Sequence, residues 1–222
     1  FDDRNELVAF VAGFGGGTDV LTHKPILISS MLAVGEKPLR SVGIGRELKL
    51  IQAFYAYRNG YTAMKWFYDP ERGENASLNL AKLGARAEEF HIDKYGQMSS
   101  GLYGPVPTDR FRAVWRFTSS RVIERLLGKA SPPSLEDVKN VPIATSKFFP
   151  DSDRVLVQIS GNIDAEQEKE KIRRRFRLRQ ILSHYFFRKD YIATEFVTGI
   201  KTDKKTKIER RMNFYLLELL HK

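Results

Sequence analysis

The chain has 222 residues, no cysteine, four histidines and a formal net charge of +10. This length is enough for one large or two small domains with real cores, and the lack of cysteine excludes disulfides and thiolate chemistry. The histidines are scattered without the spacing of metal ligands, so no metal site is expected. No apolar run is as long as a membrane span and no signal peptide is visible, so we expect a cytoplasmic protein without membrane association.

The charge is uneven along the chain. Residues 1–120 hold 15 Lys and Arg against 13 Asp and Glu, whereas residues 121–222 hold 22 against 14. An anionic partner such as nucleic acid would explain this excess, and residues 173–177 (RRRFR) would then form part of the binding surface. No recognised nucleic-acid motif accompanies the run, and a basic helix face is usually only solvated. We therefore expect a solvated surface, with a nucleic-acid partner as the alternative.

The first two predicted elements are strands. Residues 7–14 (LVAFVAGF) have the apolar content of a buried strand, and residues 26–34 (ILISSMLAV) form a second apolar run. The glycine cluster within residues 13–17 indicates a turn, because no helical pattern follows it. The sequence therefore predicts an antiparallel pair of strands joined by a glycine-rich connection.

A glycine-rich turn after the second strand is the most informative stretch. Residues 40–45 (RSVGIG) precede a helical pattern in which Leu48, Ile51, Phe54 and Tyr55 recur on one side. A strand, a glycine turn and a helix N-terminus together present backbone N–H groups to a phosphate. The glycines allow close approach, and the arginine can add a charge-assisted hydrogen bond. Short turns of this kind also occur in many folds that bind no phosphate.

The remaining elements complete a mixed pattern of strands and helices. Residues 61–68 (YTAMKWFY) close a strand–helix–strand unit, for which a right-handed crossover is expected. The further predicted elements are, in chain order, a short helix at 75–83, strands at 85–95 and 109–118 around a loop at 97–107, an irregular proline-containing connection at 128–150, a strand at 155–159, a long helix at 164–190, and strands at 191–198 and 213–220 flanking an exposed hairpin tip at 201–207. We interpret residues 1–127 as a core domain and residues 151–222 as a C-terminal α+β segment.

Several ordered motifs in residues 5–120 resemble one family. They are MLAV, RSVGIGRELKL, FYDPERGENASLNLAKLGA, YG and PTDRFRAVW. The chain resembles a branch of the GNAT-superfamily N-acetyltransferases, made up of predicted bacterial and archaeal enzymes whose substrate is generally unassigned. The resemblance implies an α+β (mixed α/β) fold: a twisted mixed sheet with a V-shaped strand splay and a C-terminal β-α-β-β segment packed on it. It also implies that the first strand and helices of that fold precede Phe1.

The resemblance implies an acyl-CoA cofactor, most simply acetyl-CoA. Its pantetheine arm would lie in the gap between the splayed strands, and its pyrophosphate would sit over the glycine turn. The implied cofactor-binding residues are Leu32, Ala33, Val34, Arg40, Ser41, Val42, Gly43, Ile44, Gly45, Arg46 and Asn75. The alternative for Asn75 is an N-cap of the following helix.

Catalytic residues are less clearly marked. The tyrosine acid that many members of the superfamily use would stand at Leu80, so this chain lacks it. Tyr95 and Tyr103 are alternative acids, although each is equally an ordinary core or rim aromatic, and Tyr95 is our candidate. Glu36 is a candidate base acting through water, or else an exposed loop carboxylate.

Three polar residues at the ends of predicted strands are candidates for a substrate pocket. Asp69, Asp109 and Arg110 follow or begin strands, where pockets of open sheets often form, and an aspartate can bind a substrate amine. The alternative is a turn at Asp69 and a surface pair at the other two.

The sequence thus predicts an acyl-CoA-dependent N-acyltransferase that transfers an acyl group directly to the amine of a small molecule or a protein. A non-catalytic acyl-CoA-binding sensor or interaction module is the first alternative, and Leu80 is consistent with it. A nucleic-acid-associated protein is the second. The acceptor, the acyl chain length and the oligomeric state stay open.

Overall fold

A computed structural model describes residues 7, 9–34, 43–96, 106–161, 167–202 and 209–220, with the backbone alone for residues 30–34. The strands of this part are β1 (Ala9–Thr18), β2 (Pro25–Val34), β3 (Ala63–Tyr68), β4 (Arg86–His91), β5 (Arg110–Trp115), β6 (Ile143–Ala144), β7 (Arg154–Ile159), β8 (Tyr191–Thr202) and β9 (Glu209–Leu219). The helices are α1 (Ile44–Arg58), α2 (Gly73–Ala76), α3 (Ser120–Leu126) and α4 (Glu168–Arg188), and a π-helical turn (Ser77–Lys82) follows α2.

The described strands form one mixed sheet in the order β1-β2-β3-β5-β4-β8-β9-β7-β6. The β2–β3 and β6–β7 pairs are parallel, and the other neighbours are antiparallel. Ala87 of β4 pairs with Ala193 of β8, which joins the C-terminal strands to the others. The prediction of a mixed α+β protein built on a large mixed sheet is therefore confirmed.

The first hairpin differs from its prediction in where it turns. The antiparallel β1–β2 pair is confirmed, but the glycine cluster lies inside β1, and the turn comes after it, where the Asp19 N–H donates to the Lys24 carbonyl. A Cβ on Gly16 would lie 2.0 Å from Ile28 Cγ1, and one on Gly13 would lie 2.9 Å from Leu27 Cδ2. These glycines are therefore required by close packing within the hairpin, and the predicted turn at them is wrong.

Helix α1 does not pack its apolar side against the sheet. It packs the opposite side there. Ile51, Phe54 and Tyr55 are 52%, 59% and 64% exposed. The buried residues of this helix are Lys49, Gln52, Ala53 and Ala56, which recur at i, i+3, i+4 and i+7. Small alanines at the contact allow the helix to approach the sheet closely, and close approach brings two polar side chains into the interior.

The predicted long helix is confirmed as α4, although Phe176, on its apolar pattern, is 51% exposed. Its buried side chains include Leu178, Ile181, Leu182 and Tyr185, which belong to the same hydrophobic core as Trp66 and many other residues of both halves of the chain. The sequence analysis missed α3, which begins after Ser119, whose hydroxyl accepts a hydrogen bond from the Val122 N–H. The predicted loop at 97–107 and hairpin tip at 201–207 lie largely outside the described residues.

Candidate functional site

Among the described residues, no side chain caps the N-terminus of helix α1. Its N-cap residue is Gly43, whose carbonyl accepts hydrogen bonds from the backbone N–H groups of Arg46 (2.9 Å) and Glu47 (3.3 Å). Gly43 has φ +89°, and a Cβ there would meet no atom of the described chain within 4 Å. Glycine is thus required at this position by the left-handed backbone. The N–H groups of Ile44 and Gly45 come before the first intrahelical hydrogen bond, so this turn is a positive helix end.

Strands β2 and β3 pair over only part of their length. The parallel ladder joins Ile26 to Ala63, Leu27 to Met64 and Ile28 to Lys65. Beyond Ile28, the β2 ladder in the described chain is with β1 alone, and it includes the three β2 residues that the sequence analysis assigned to the cofactor, Leu32, Ala33 and Val34. Past these pairs β2 and β3 are not paired with each other in the described chain, and we call this unpaired stretch the gap between β2 and β3.

A buried lysine occupies the start of this gap. Lys49 is 2% exposed, and its Nζ donates to Ser29 Oγ (2.6 Å) and lies 4.0 Å from the centroid of the Trp66 ring. Ser29 Oγ in turn donates to Gln52 Oε1 (3.0 Å), and Gln52 Nε2 donates to the Ala12 carbonyl (3.0 Å). Burial lowers the pKa of Lys49 from 10.5 to about 7, because a charged ammonium loses its hydration there.

Sequence reasoning missed Lys49 because charged residues of a helix are normally placed on its solvent face. The signal that could have found it is the spacing of Lys49 and Gln52 with Ala53 and Ala56, which makes a face of small and polar residues. The apolar face of the same helix is the stronger sequence pattern, so that face was predicted to be buried instead.

A cluster of ion pairs lies where β3 ends. Asp69 follows β3 and accepts from Arg175 Nη2 at 2.8 Å. Glu71 contacts Arg174 Nε at 2.9 Å and Arg175 Nε at 3.1 Å, and both Glu71 and Arg175 are buried. Burial acts to raise the pKa of Asp69, but the charge and hydrogen bond of Arg175 outweigh it and hold that pKa below 3.8.

The other strand-end residues join this cluster. Arg179 contacts the buried Asp109 carboxylate with Nη2 at 2.6 Å and Nε at 3.0 Å. Arg110 Nη1 lies 4.0 Å from Asp69 Oδ2, and its guanidinium carbon lies 5.3 Å from the centroid of the Tyr95 ring. The structure therefore brings Asp69, Asp109, Arg110 and Tyr95 together, with both aspartates already held by arginines of α4. Their roles toward a substrate stay predictions.

The remaining candidates are distributed as follows. Asn75 lies exposed within α2, whose N-cap is Arg72, so the N-cap alternative for Asn75 is wrong. Leu80 is completely buried within the π-helical turn. Candidates that lie outside the described residues are Glu36, Arg40, Ser41, Val42 and Tyr103.

Three general comparisons bear on the site. No group of histidine and carboxylate side chains suited to a metal ion occurs in the described ranges. None of the helices described is both long and apolar enough to cross a membrane. Neither a model of a known protein family nor a curated protein matches the chain.

Proposed function

We propose that the chain binds an acyl-CoA, most simply acetyl-CoA, and transfers the acyl group to an amine, as a GNAT-like N-acyltransferase does. The observation that carries this proposal is one arrangement. The parallel strands β2 and β3 stop pairing after Ile28 and Lys65, and the next described element is a helix whose N-cap is Gly43 in a left-handed conformation. A gap bordered by free backbone and a positive helix end suits a ligand with an amide-rich arm and a pyrophosphate.

Each part of such a ligand has a candidate partner. The first-turn N–H groups of α1 and the guanidinium of Arg46 would hold the pyrophosphate. The backbone of Leu32, Ala33 and Val34 would hydrogen-bond the amides of the arm. The bound thioester supplies an activated acyl group, and the remaining work of the protein is to orient an amine and to move its proton.

The acceptor would come from the end of the sheet where the ion-pair cluster lies. Tyr95 is half-exposed beside Arg110 and is the candidate acid, and Glu36 is the candidate base. Leu80 has no exposed surface and sits in the core, which supports an acid from another position. The cluster of Asp69, Asp109 and their arginines would set the shape and charge of that entrance.

The described geometry offers less support for the nucleic-acid alternative. Arg174, Arg175 and Arg179 of the basic run and its continuation are engaged with Glu71, Asp69 and Asp109 inside the chain. Arginines held by buried carboxylates contribute little to phosphate binding. The binding-module alternative shares the cofactor site and differs only in turnover.

Calorimetric titration with CoA and acetyl-CoA tests the cofactor site. Wild type should bind both, and Arg46→Glu should weaken binding by about tenfold or more, because a charge at the phosphate-facing first turn is reversed. Arg58→Glu, in the last turn of the same helix, is the matched control and should bind within about twofold of wild type. Equal binding by the folded Arg46→Glu variant would contradict the site.

Turnover separates the enzyme from the binding module. Release of free CoA should be measured with acetyl-CoA across a panel of small amines and lysine peptides. Binding without amine-dependent release under any condition would favour the module. A salt-dependent mobility shift with duplex DNA or RNA, in a chain that fails to bind CoA, would favour the nucleic-acid alternative.

A further inference from the structure

The Lys49 amine lies where β2 and β3 separate. Ser29 is the first residue of β2 beyond the last ladder pair, and Trp66 is the first such residue of β3. Lys49 Nζ touches both, through the 2.6 Å hydrogen bond to Ser29 Oγ and the 4.0 Å approach to the Trp66 ring. A helix side chain thus reaches through to the point at which the gap in the sheet begins.

This amine is not part of a structural ion pair in the described chain. Its described partners are Ser29 Oγ, Gln52 Oε1 at 3.4 Å and the Trp66 ring, and none of these carries a charge. Every other buried cation discussed above contacts a carboxylate. Burying an ammonium without one favours the neutral amine, which is the nucleophilic form of lysine.

The hydrogen bonds around Lys49 also orient it. Gln52 is anchored to the Ala12 carbonyl and accepts from Ser29, so the Ser29 oxygen has its proton directed away from Lys49 and a lone pair directed toward it. One N–H of the amine is therefore oriented toward Ser29 Oγ. The nitrogen itself lies 4.0 Å from the centroid of the Trp66 ring, where the β2–β3 ladder ends.

We propose that Lys49 is an acyl-acceptor site of this chain, modified by the acyl-CoA that the gap between β2 and β3 holds. The inference rests on the proposed function. Lys49 Nζ forms a bond to the thioester carbonyl carbon, the carbon–sulfur bond breaks, and the electron pair leaves with the CoA sulfur. The proton lost by the nitrogen passes to that thiolate. The product is a neutral Nε-acyl-lysine whose remaining N–H can keep the hydrogen bond to Ser29 Oγ.

Wild-type protein tests the site without any substitution. The full chain is incubated with acetyl-CoA at pH 8, and acetylation of each lysine is followed by peptide mass spectrometry. Lys65 is the internal control, because it lies on β3 next to Trp66 and, by strand alternation, on the opposite face of the sheet. Lys49 should be acetylated about tenfold faster than Lys65 or more, since it would be labelled from the bound state. Its labelling should saturate with acetyl-CoA and be inhibited by CoA.

Two further measurements make the outcomes distinct. Acetyl phosphate, a donor without the CoA moiety, should label exposed lysines and leave Lys49 among the slowest, because that side chain is sealed from solvent. Lys49→Arg should lack the saturable acetylation, and Lys65→Arg should keep it. If calorimetry shows that acetyl-CoA binds while Lys49 stays unmodified, this inference is overturned and the proposed function survives. If acetyl-CoA does not bind, both fail.

Discussion

Helices α1 and α4 each bury a cation against the same sheet, and they treat it in opposite ways. Arg175 of α4 is 3% exposed and lies between the carboxylates of Asp69 and Glu71. Lys49 of α1 is 2% exposed and has a hydroxyl, an amide oxygen and an aromatic ring around it. The arginine stays charged and ties α4 to the end of β3, whereas the lysine can lose its proton near neutral pH. Burial alone therefore does not decide whether a cation keeps its charge. The groups in contact with the cation decide it.

The same helices differ in the face that they bury. Helix α4 packs its apolar stripe into the core, and α1 leaves its aromatic side in solvent. The sheet-facing side of α1 carries Ala53 and Ala56, which let the helix backbone come close enough for Lys49 to reach between the strands. Close packing through small residues is thus what places the amine at the gap.

Removing the cation from the ion-paired site, Arg175 with Asp69 and Glu71, should have the largest effect on stability. Arg175→Ala leaves the carboxylates of Asp69 and Glu71 buried beside each other. We expect the free energy of unfolding to fall by about 3 kcal/mol, the lower end for breaking a buried pair, because Arg174 still neutralises Glu71. Urea denaturation at pH 7.5 measures it.

The matched control is Arg173→Ala on the same helix. The Arg173 side chain is 62% exposed, and its Nη1 lies 3.9 Å from Glu170 Oε2. Its removal should change the free energy of unfolding by less than about 0.5 kcal/mol. Equal losses in both variants would mean that the buried cluster contributes no more than a surface pair.

Lys49, which has no carboxylate partner among the described residues, should make the stability of the protein depend on pH. Between about pH 7 and 10.5, the unfolded chain holds a proton on Lys49 that the folded chain has lost. The contribution of Lys49 to stability therefore rises with pH in this window, by about 1.4 kcal/mol per unit, and its full penalty is present below pH 7.

Lys49→Met removes this contribution while keeping a side chain of similar length. From pH 7.5 to 8.5, the unfolding free energy of wild type should increase relative to that of the variant. Lys139→Met, at a lysine whose side chain is 58% exposed, should show no such shift. A constant difference at the two pH values for Lys49→Met would show that this amine keeps its proton, and would place a counter-charge beside it.

The smallest effect is expected on the exposed face of α1. Phe54 is 59% exposed, so Phe54→Ala should lower the free energy of unfolding by less than about 0.5 kcal/mol. Leu182→Ala, in the stripe of α4, is the buried counterpart and should lose about 2–5 kcal/mol. A loss at Phe54 close to that at Leu182 would show that the aromatic side of α1 is covered in solution.

The sequence by itself determined the local elements whose pattern repeats at short range. Strand β7 and helix α4 follow from a short apolar run and from helical spacing, because both patterns are set by residues within one element. A helix after the glycine turn was also predicted, but α1 begins at Ile44, within the predicted turn at 40–45.

Only the tertiary structure decided which surfaces meet. The pairing of Asp69 with Arg175 spans 106 positions, and that of Asp109 with Arg179 spans 70. The glycines of β1 predicted a turn, but in the structure Ile28 occupies the space that a side chain at Gly16 would need. Lys49 was expected on the surface, but the helix face that it shares with Ala53 and Ala56 is buried. Local periodicity records how apolar a face is, but the face that a helix buries depends on the partner that it packs against and on how closely the two backbones can approach.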